Sequence, residues 1–277
     1  MLKFKLIGLA LILKSFLINT FHSTPEEFER NRGAFKKISL GRMPEMLESS
    51  GLEIYNDSLL ITHQDSGGES ALFIVNYNAE IKDTIHLELR NYDWEDIAQD
   101  DKGNLYIGDF GNNLNQRKKQ FIYKYDQSTG EIGKIQFSLA DQKAYPPGKK
   151  EMNFDIEAMC WKGNELHLFS KNRGLKCVKH YVLPDQPGEY VAQPIESVYL
   201  PNQVTGADIN PGGDMLVLSS YGRIYTFKIS AGNRFFEKPY KMIRFTRGAQ
   251  MEGVVYINET DFVVSNETGK LFLFRSK

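Results

Sequence analysis

From Gly51 to the C-terminus the chain repeats one pattern: an acidic residue leads a short apolar strand, a tight turn follows, and a second strand runs into a polar loop. A unit recurring at this spacing cannot bury its apolar faces alone and must stack on its neighbours, so the repeat restricts the chain to a small set of architectures. The clearest copy is Asp93-Trp94-Glu95-Asp96-Ile97-Ala98, a turn at Lys102-Gly103, the strand-like residues 104–108, and the loop Gly108-Asp109-Phe110-Gly111-Asn112-Asn113-Leu114-Asn115-Gln116-Arg117.

Five copies align on their acids, Glu53, Asp96, Glu157, Asp208 and Glu252, at intervals of 43, 61, 51 and 44 residues. The long interval holds an insertion, residues 141–153, that reads as an extended loop. Short runs rich in Val, Ile, Leu, Tyr and Phe, separated by Gly, Asn, Asp and Pro, give three strands per copy. The runs 80–89, 131–139, 190–200 and 240–246 add a fourth. Four antiparallel strands per repeat is the blade of a β-propeller, so the expected fold is all-β with five four-stranded blades, or six if residues 42–50 belong to a degenerate unit. The last copy ends one strand short at Phe274-Arg275-Ser276-Lys277, which would leave an open β-edge. Residues 34–40 are strand-like and lack a partner of their own, so they are expected to complete the final blade and close the ring.

Ahead of this domain, residues 1–23 combine Lys3 and Lys5 with an apolar run interrupted at Lys14, as in a signal peptide or N-terminal anchor. Residues 24–33 read as a linker, and residues 34–277 as the propeller. Such a leader is expected to direct the protein to the periplasm, cell envelope or exterior, with no membrane contact beyond a possible N-terminal anchor. A net charge of −1 with mixed signs offers no footprint for nucleic acid. Two cysteines, Cys160 and Cys177, are too few for a disulfide framework; they are a bridged pair or two separate thiols. Trp94 and Trp161 flank the acidic strands and read as aromatics wedged between blades.

In a propeller the start of the first strand and the end of the second share a face near the axis. Glu53, Asp96, Glu157, Asp208 and Glu252 would then surround a narrow channel, where like charges need compensation. A calcium ion, which takes six to eight oxygen ligands, is one solution; the other is that each acid accepts backbone amides of the adjoining blade. Asp65, Asn112, Asn113, Arg117 and Lys171 follow second strands and are the candidate ligand-binding face. His63 beside Asp65, and Asp109, are the candidate proton-moving groups. No Gly-x-Ser-x-Gly elbow and no phosphate-binding glycine loop occurs.

The segment from Asp93 through Asp96-Ile97-Ala98 and Leu105-Tyr106-Ile107-Gly108-Asp109-Phe110-Gly111-Asn112-Asn113 to Arg117 resembles a signature of bacterial secreted β-propeller proteins, mostly of unassigned function. These are similar to the SdiA-regulated and phytase-like esterase groups and, more distantly, to calcium-dependent lactonase propellers. The resemblance implies an envelope propeller with an axial calcium near a hydrolytic site, with the five aligned acids as axial ligands and Asp109 and Asn112 beside them. This chain departs from the pattern in showing five units rather than six. The combined expectation is an exported propeller that binds a small molecule or protein with a calcium on the acidic face, partly covered by residues 141–153. The alternative is a calcium-dependent hydrolase of a phosphoester, ester or lactone in which Asp109 or His63 moves protons.

Overall fold

The computed structural model describes residues 20–21, 28–30, 33–44, 48–174, 176–230, 232–245 and 250–277. Of the expected leader, residues 1–23, all but Thr20–Phe21 lie outside them, as do residues 24–27 and 31–32 of the expected linker. Among the described residues no helix is long and apolar enough to cross a membrane.

The chain is all-β. Its described residues open with β1 (Thr20–Phe21), β2 (Glu29–Arg30) and β3 (Phe35–Arg42). Four-stranded antiparallel units then follow in sequence order: β4 (Ser49–Asn56), β5 (Leu59–Gln64), β6 (Ala71–Asn76), β7 (Ile81–His86); and β8 (Trp94–Gln99), β9 (Leu105–Asp109), β10 (Gln120–Tyr125), β11 (Ile132–Leu139). Next come β12 (Ile156–Lys162), β13 (Glu165–Ser170), β14 (Cys177–Pro184), β15 (Gly188–Tyr199); then β16 (Val204–Ile209), β17 (Met215–Ser220), β18 (Arg223–Lys228), β19 (Pro239–Arg244). The last strands are β20 (Met251–Tyr256), β21 (Phe262–Asn266) and β22 (Lys270–Ser276), and β3 completes their sheet by antiparallel pairing with β22, Ile38 opposite Leu273. That pairing removes the open edge that the C-terminal sequence would otherwise leave.

The turns follow residue chemistry. Gly103 sits at φ 83°, the left-handed region that suits glycine, between Asp100 and Asn104. Asp100 holds this turn by accepting the amides of Lys102 and Asn104 at 3.0 and 2.8 Å.

The first strands of successive units pack on one another, β4 on β8, β8 on β12, β12 on β16, β16 on β20, and β20 on β4. The buried apolar residues fall into clusters that each join two adjoining units. Ile61, Leu72 and Ile74 meet Trp94, Ile97 and Ile107, while Leu52, Leu60 and Val75 meet Val255, Val263 and Leu271. Trp94 is fully buried in this way, and Trp161 is half-buried with its Nε1 donating to Asp185 at 2.9 Å. Close approach of the inner strands depends on small residues. A Cβ at Gly206 would stand 2.4 Å from the Glu252 carbonyl oxygen, and one at Gly253 would stand 2.6 Å from that of Ser50.

Two connections depart from simple hairpins. Residues 188–192 of β15 pair in parallel with β11, so the second and third units share one long strand. Outside the units, β1 and β2 lie parallel against β15 and β19, and Phe28 packs on Tyr225 and Phe227 with ring centroids 5.3 and 5.2 Å apart. The insertion at 141–153 is a loop with one 3-10 turn, Lys149–Glu151. It is anchored by Asp141 to Lys179 at 2.6 Å and by Gln142 to the Asn115 carbonyl at 2.8 Å. Cys160 and Cys177 are free thiols.

Candidate functional site

Each inner strand begins with a β-bulge. Pairing with the second strand skips Ser50 and Gly51 in β4, Glu95 in β8, Glu157 in β12, Thr205 in β16, and Glu252 and Gly253 in β20. A bulge leaves one residue outside the ladder and re-aims its side chain. Ser50, Glu95, Glu157 and Glu252 consequently line one cavity of about 340 Å³, together with Asp65, Asn113, Lys171, Arg173 and Tyr221.

The five acids aligned in the sequence do not share one centre. Glu157 and Glu252 line the cavity. Glu53, Asp96 and Asp208 do not line it; they lie on the strands proper, and their oxygens are occupied by backbone amides. Glu53 accepts Ile54 at 3.0 Å and Gln99 at 3.1 Å. Asp96 accepts Ile97 at 2.9 Å, Met159 at 2.8 Å and Ala207 at 3.3 Å. Asp208 accepts Ile209 and Tyr256, each at 2.7 Å. These three therefore stitch one inner strand to the next, the second of the two roles open to them in the sequence. Burial raises all three above the ordinary carboxylate range, Asp208 to about 7, while the amides work against the shift.

In the cavity, opposite charges are already matched where bases are present. Lys171 Nζ lies 2.7 Å from Glu157 Oε2, and both side chains are almost fully buried. Burial works to lower the Lys171 pKa, but the Glu157 carboxylate, with Tyr221 and Glu95 behind it, outweighs burial and raises it. Arg173 pairs with Asp155 at 2.6 Å and also reaches the Asn113 side-chain oxygen. Acids remain in excess. Burial raises Glu252 to about 8, and burial with the neighbouring Glu157, Asp65, Asp155 and Asp93 raises Glu95 well above its usual range. Asp93 rises to about 6 through burial and the charges of Asp65 and Asp155, and burial also raises Asp65.

Glu95 was not among the expected site residues, because the alignment followed the acid in each copy. The recurrent small residue after the bulge, Gly51, Ala158, Gly206 and Gly253, with Asp96 in the second unit, would have set the register and placed Glu95 with Glu157 and Glu252.

The remaining expected residues divide. Asp65, Asn113 and Lys171 reach the cavity. Asn112 instead organises its own loop, accepting the Arg117 amide at 2.9 Å and donating its own amide to Asp155 at 2.7 Å. Arg117 reaches back to the Asp109 carboxylate at 3.0 Å and the Gly111 carbonyl at 2.9 Å. Asp109 is fully buried; burial raises its pKa against the pull of Arg117. His63 is buried edge-on to Trp94, its Nδ1 on the Gln64 carbonyl at 3.0 Å, and burial lowers it to about 4, so the ring is neutral at physiological pH. Neither His63 nor Asp109 lines the cavity, and no residue of the 141–153 loop does.

No protein-family model matches the chain, and no curated protein is similar to it. Among solved structures, two of virginiamycin B lyase from Staphylococcus aureus resemble it: a catalytically inactive variant with quinupristin, at 10% identity and a TM-score of 0.40, and a selenomethionine-substituted form, at 11% identity and 0.43. Each alignment covers 83% of this chain and 66% of the other. Likeness at that level transfers no residue role and no activity to this chain.

Proposed function

We propose that this protein is an exported five-bladed β-propeller, closed by β3, that binds a ligand in the acidic cavity of one face with the help of a calcium-class cation. The ligand is a small polar molecule, or a polar side chain presented by a protein partner. The observation that carries the reading is the convergence of Glu95, Glu157 and Glu252, delivered by bulges of three inner strands, with Lys171 in one water-accessible cavity. Its volume, about 340 Å³, falls at the lower end of the range for small-molecule sites. The succession of inner strands from β4 to β20 and back to β4 supports the blade count.

Binding is favoured over hydrolysis because the two proton-moving candidates are out of reach of the cavity. His63 is enclosed by the strands, and Asp109 is tied to Arg117. The test is steady-state turnover of p-nitrophenyl acetate, p-nitrophenyl phosphate and a γ-lactone in calcium-containing buffer. No turnover above background is expected. Multiple turnover that disappears in Lys171→Met, with the fold intact, would replace the binding reading with the hydrolase.

A further inference from the structure

The five aligned acids suit a shared ion poorly. Three of them already accept backbone amides and do not line the cavity, and Glu157 is paired with Lys171. A different set is free to take one. Carboxylate oxygens of Asp65, Asp93 and Glu95 all lie within 4.8 Å of one another. Ligands of a common calcium at ~2.4 Å can stand no further apart than about twice that distance, so the spread admits a single ion.

Two further observations point to a ligand. Glu95 is only 5% exposed, yet among the described residues its carboxylate accepts no hydrogen bond and forms no ion pair, and it faces the cavity. A buried carboxylate in that condition needs a cation or a proton. Beneath it lies Gly111, where a Cβ would stand 2.2 Å from Glu95 Oε1 and 2.5 Å from Asp93 Oδ2. The loop that Arg117 and Asn112 hold in place thus brings bare backbone under two acids and leaves them room to converge. The nearby bases are engaged, Lys171 with Glu157 and Arg173 with Asp155.

We infer that a divalent cation of the calcium class is held off the axis by Asp65, Asp93 and Glu95, bridging the loop after β5 to the start of β8. The inference rests on the reading of this face as a cation-assisted binding site and assigns the ion its ligands. Three carboxylates, mono- or bidentate, with water from the cavity supply the six to eight oxygens calcium takes; magnesium, which demands near-ideal octahedral geometry, is served less well.

The probe is Tb³⁺, followed by sensitised luminescence and displaced by Ca²⁺, on the full chain and on five variants. The wild type should bind saturably, with calcium displacing the probe at lower concentration than magnesium. Asp65→Asn combined with Asp93→Asn should weaken binding at least about tenfold, and the exposed-carboxylate control Asp83→Asn should not change it. Gly111→Ala alters no ligand atom but intrudes on two of them, and should weaken binding even if the double variant fails to fold. Binding that survives both the double variant and Gly111→Ala but is lost in Glu157→Gln or Glu252→Gln would place the ion on the axis: the inference fails and the cation-assisted reading stands. A wild type that binds neither Tb³⁺ nor Ca²⁺ at millimolar concentration overturns both.

Discussion

Asp96, on the inner strand of the second unit, accepts the amide of Met159 on the inner strand of the third at 2.8 Å, and the same oxygen accepts Ala207 of the fourth at 3.3 Å. One buried carboxylate therefore ties three units together. Glycines at the matching position of three other inner strands let adjoining strands approach closely, as at Gly206 and Gly253.

Replacing Asp96 by Ala would leave buried amides without acceptors, each at a cost of about 1–3 kcal/mol. We expect Asp96→Ala to lose more than about 3 kcal/mol in urea unfolding, while Asp96→Asn, which keeps one acceptor oxygen, loses less. A denaturation midpoint for Asp96→Ala equal to that of the wild type would remove the stitching role.

Lys171 and Glu157 form a buried pair, so loss of either removes the other's nearest counter-charge, Arg173 standing 3.5 Å from Glu157. Lys171→Met should destabilise the protein by about 3–5 kcal/mol. Adding Glu157→Gln to that variant should recover much of the loss, because no uncompensated charge remains. The double-mutant cycle, read by chemical denaturation, is the check; strictly additive losses would contradict the coupling.

Glu252 has a pKa of about 8 in the folded protein against an ordinary value of 4.5. Below the ordinary value both folded and unfolded chains are protonated there. Between it and the folded value the unfolded chain sheds a proton that the folded one retains, so this residue's contribution to stability declines as pH rises. Glu252→Gln should therefore gain melting temperature over the wild type as pH goes from about 5 to about 8 in the presence of a chelator. A difference that stays constant with pH would show that Glu252 does not titrate in this window.

β3 closes the sheet begun by the last three strands, pairing along β22 from Arg42 opposite Lys270 to Phe35 opposite Ser276. A chain starting at Met43 should aggregate, because β22 becomes an unprotected edge, whereas one starting at Gly33 should remain monomeric. A synthetic peptide of residues 33–44 added during refolding should restore monomer to the shorter chain, as read by light scattering. Equal solubility and melting temperature for the two chains would mean that β3 is dispensable.

The strands, the turns and the terminal edge were legible in the sequence because each depends on neighbours along the chain: alternation of apolar residues, glycine or Asx chemistry at the turn, and a final repeat visibly one strand short. The cavity was only partly legible. Glu157, Glu252, Asp65 and Lys171 could be named from their places in the repeat, but Glu95 was displaced from view by Asp96 beside it.

The physical reason is the bulge. An acid that aligns in sequence can face the cavity or lie among the strands according to one extra residue in the ladder, and that residue is set by pairing with another strand. The same holds for the buried chain of His167, His180 and Glu196, with contacts of 2.9 and 2.7 Å, which nothing in the local sequence announces. Local chemistry determined that this chain builds strands, hairpins and repeats. Only the packing of one unit on the next decided which carboxylates bind backbone, which pair with Lys171 and Arg173, and which remain free on the exposed face.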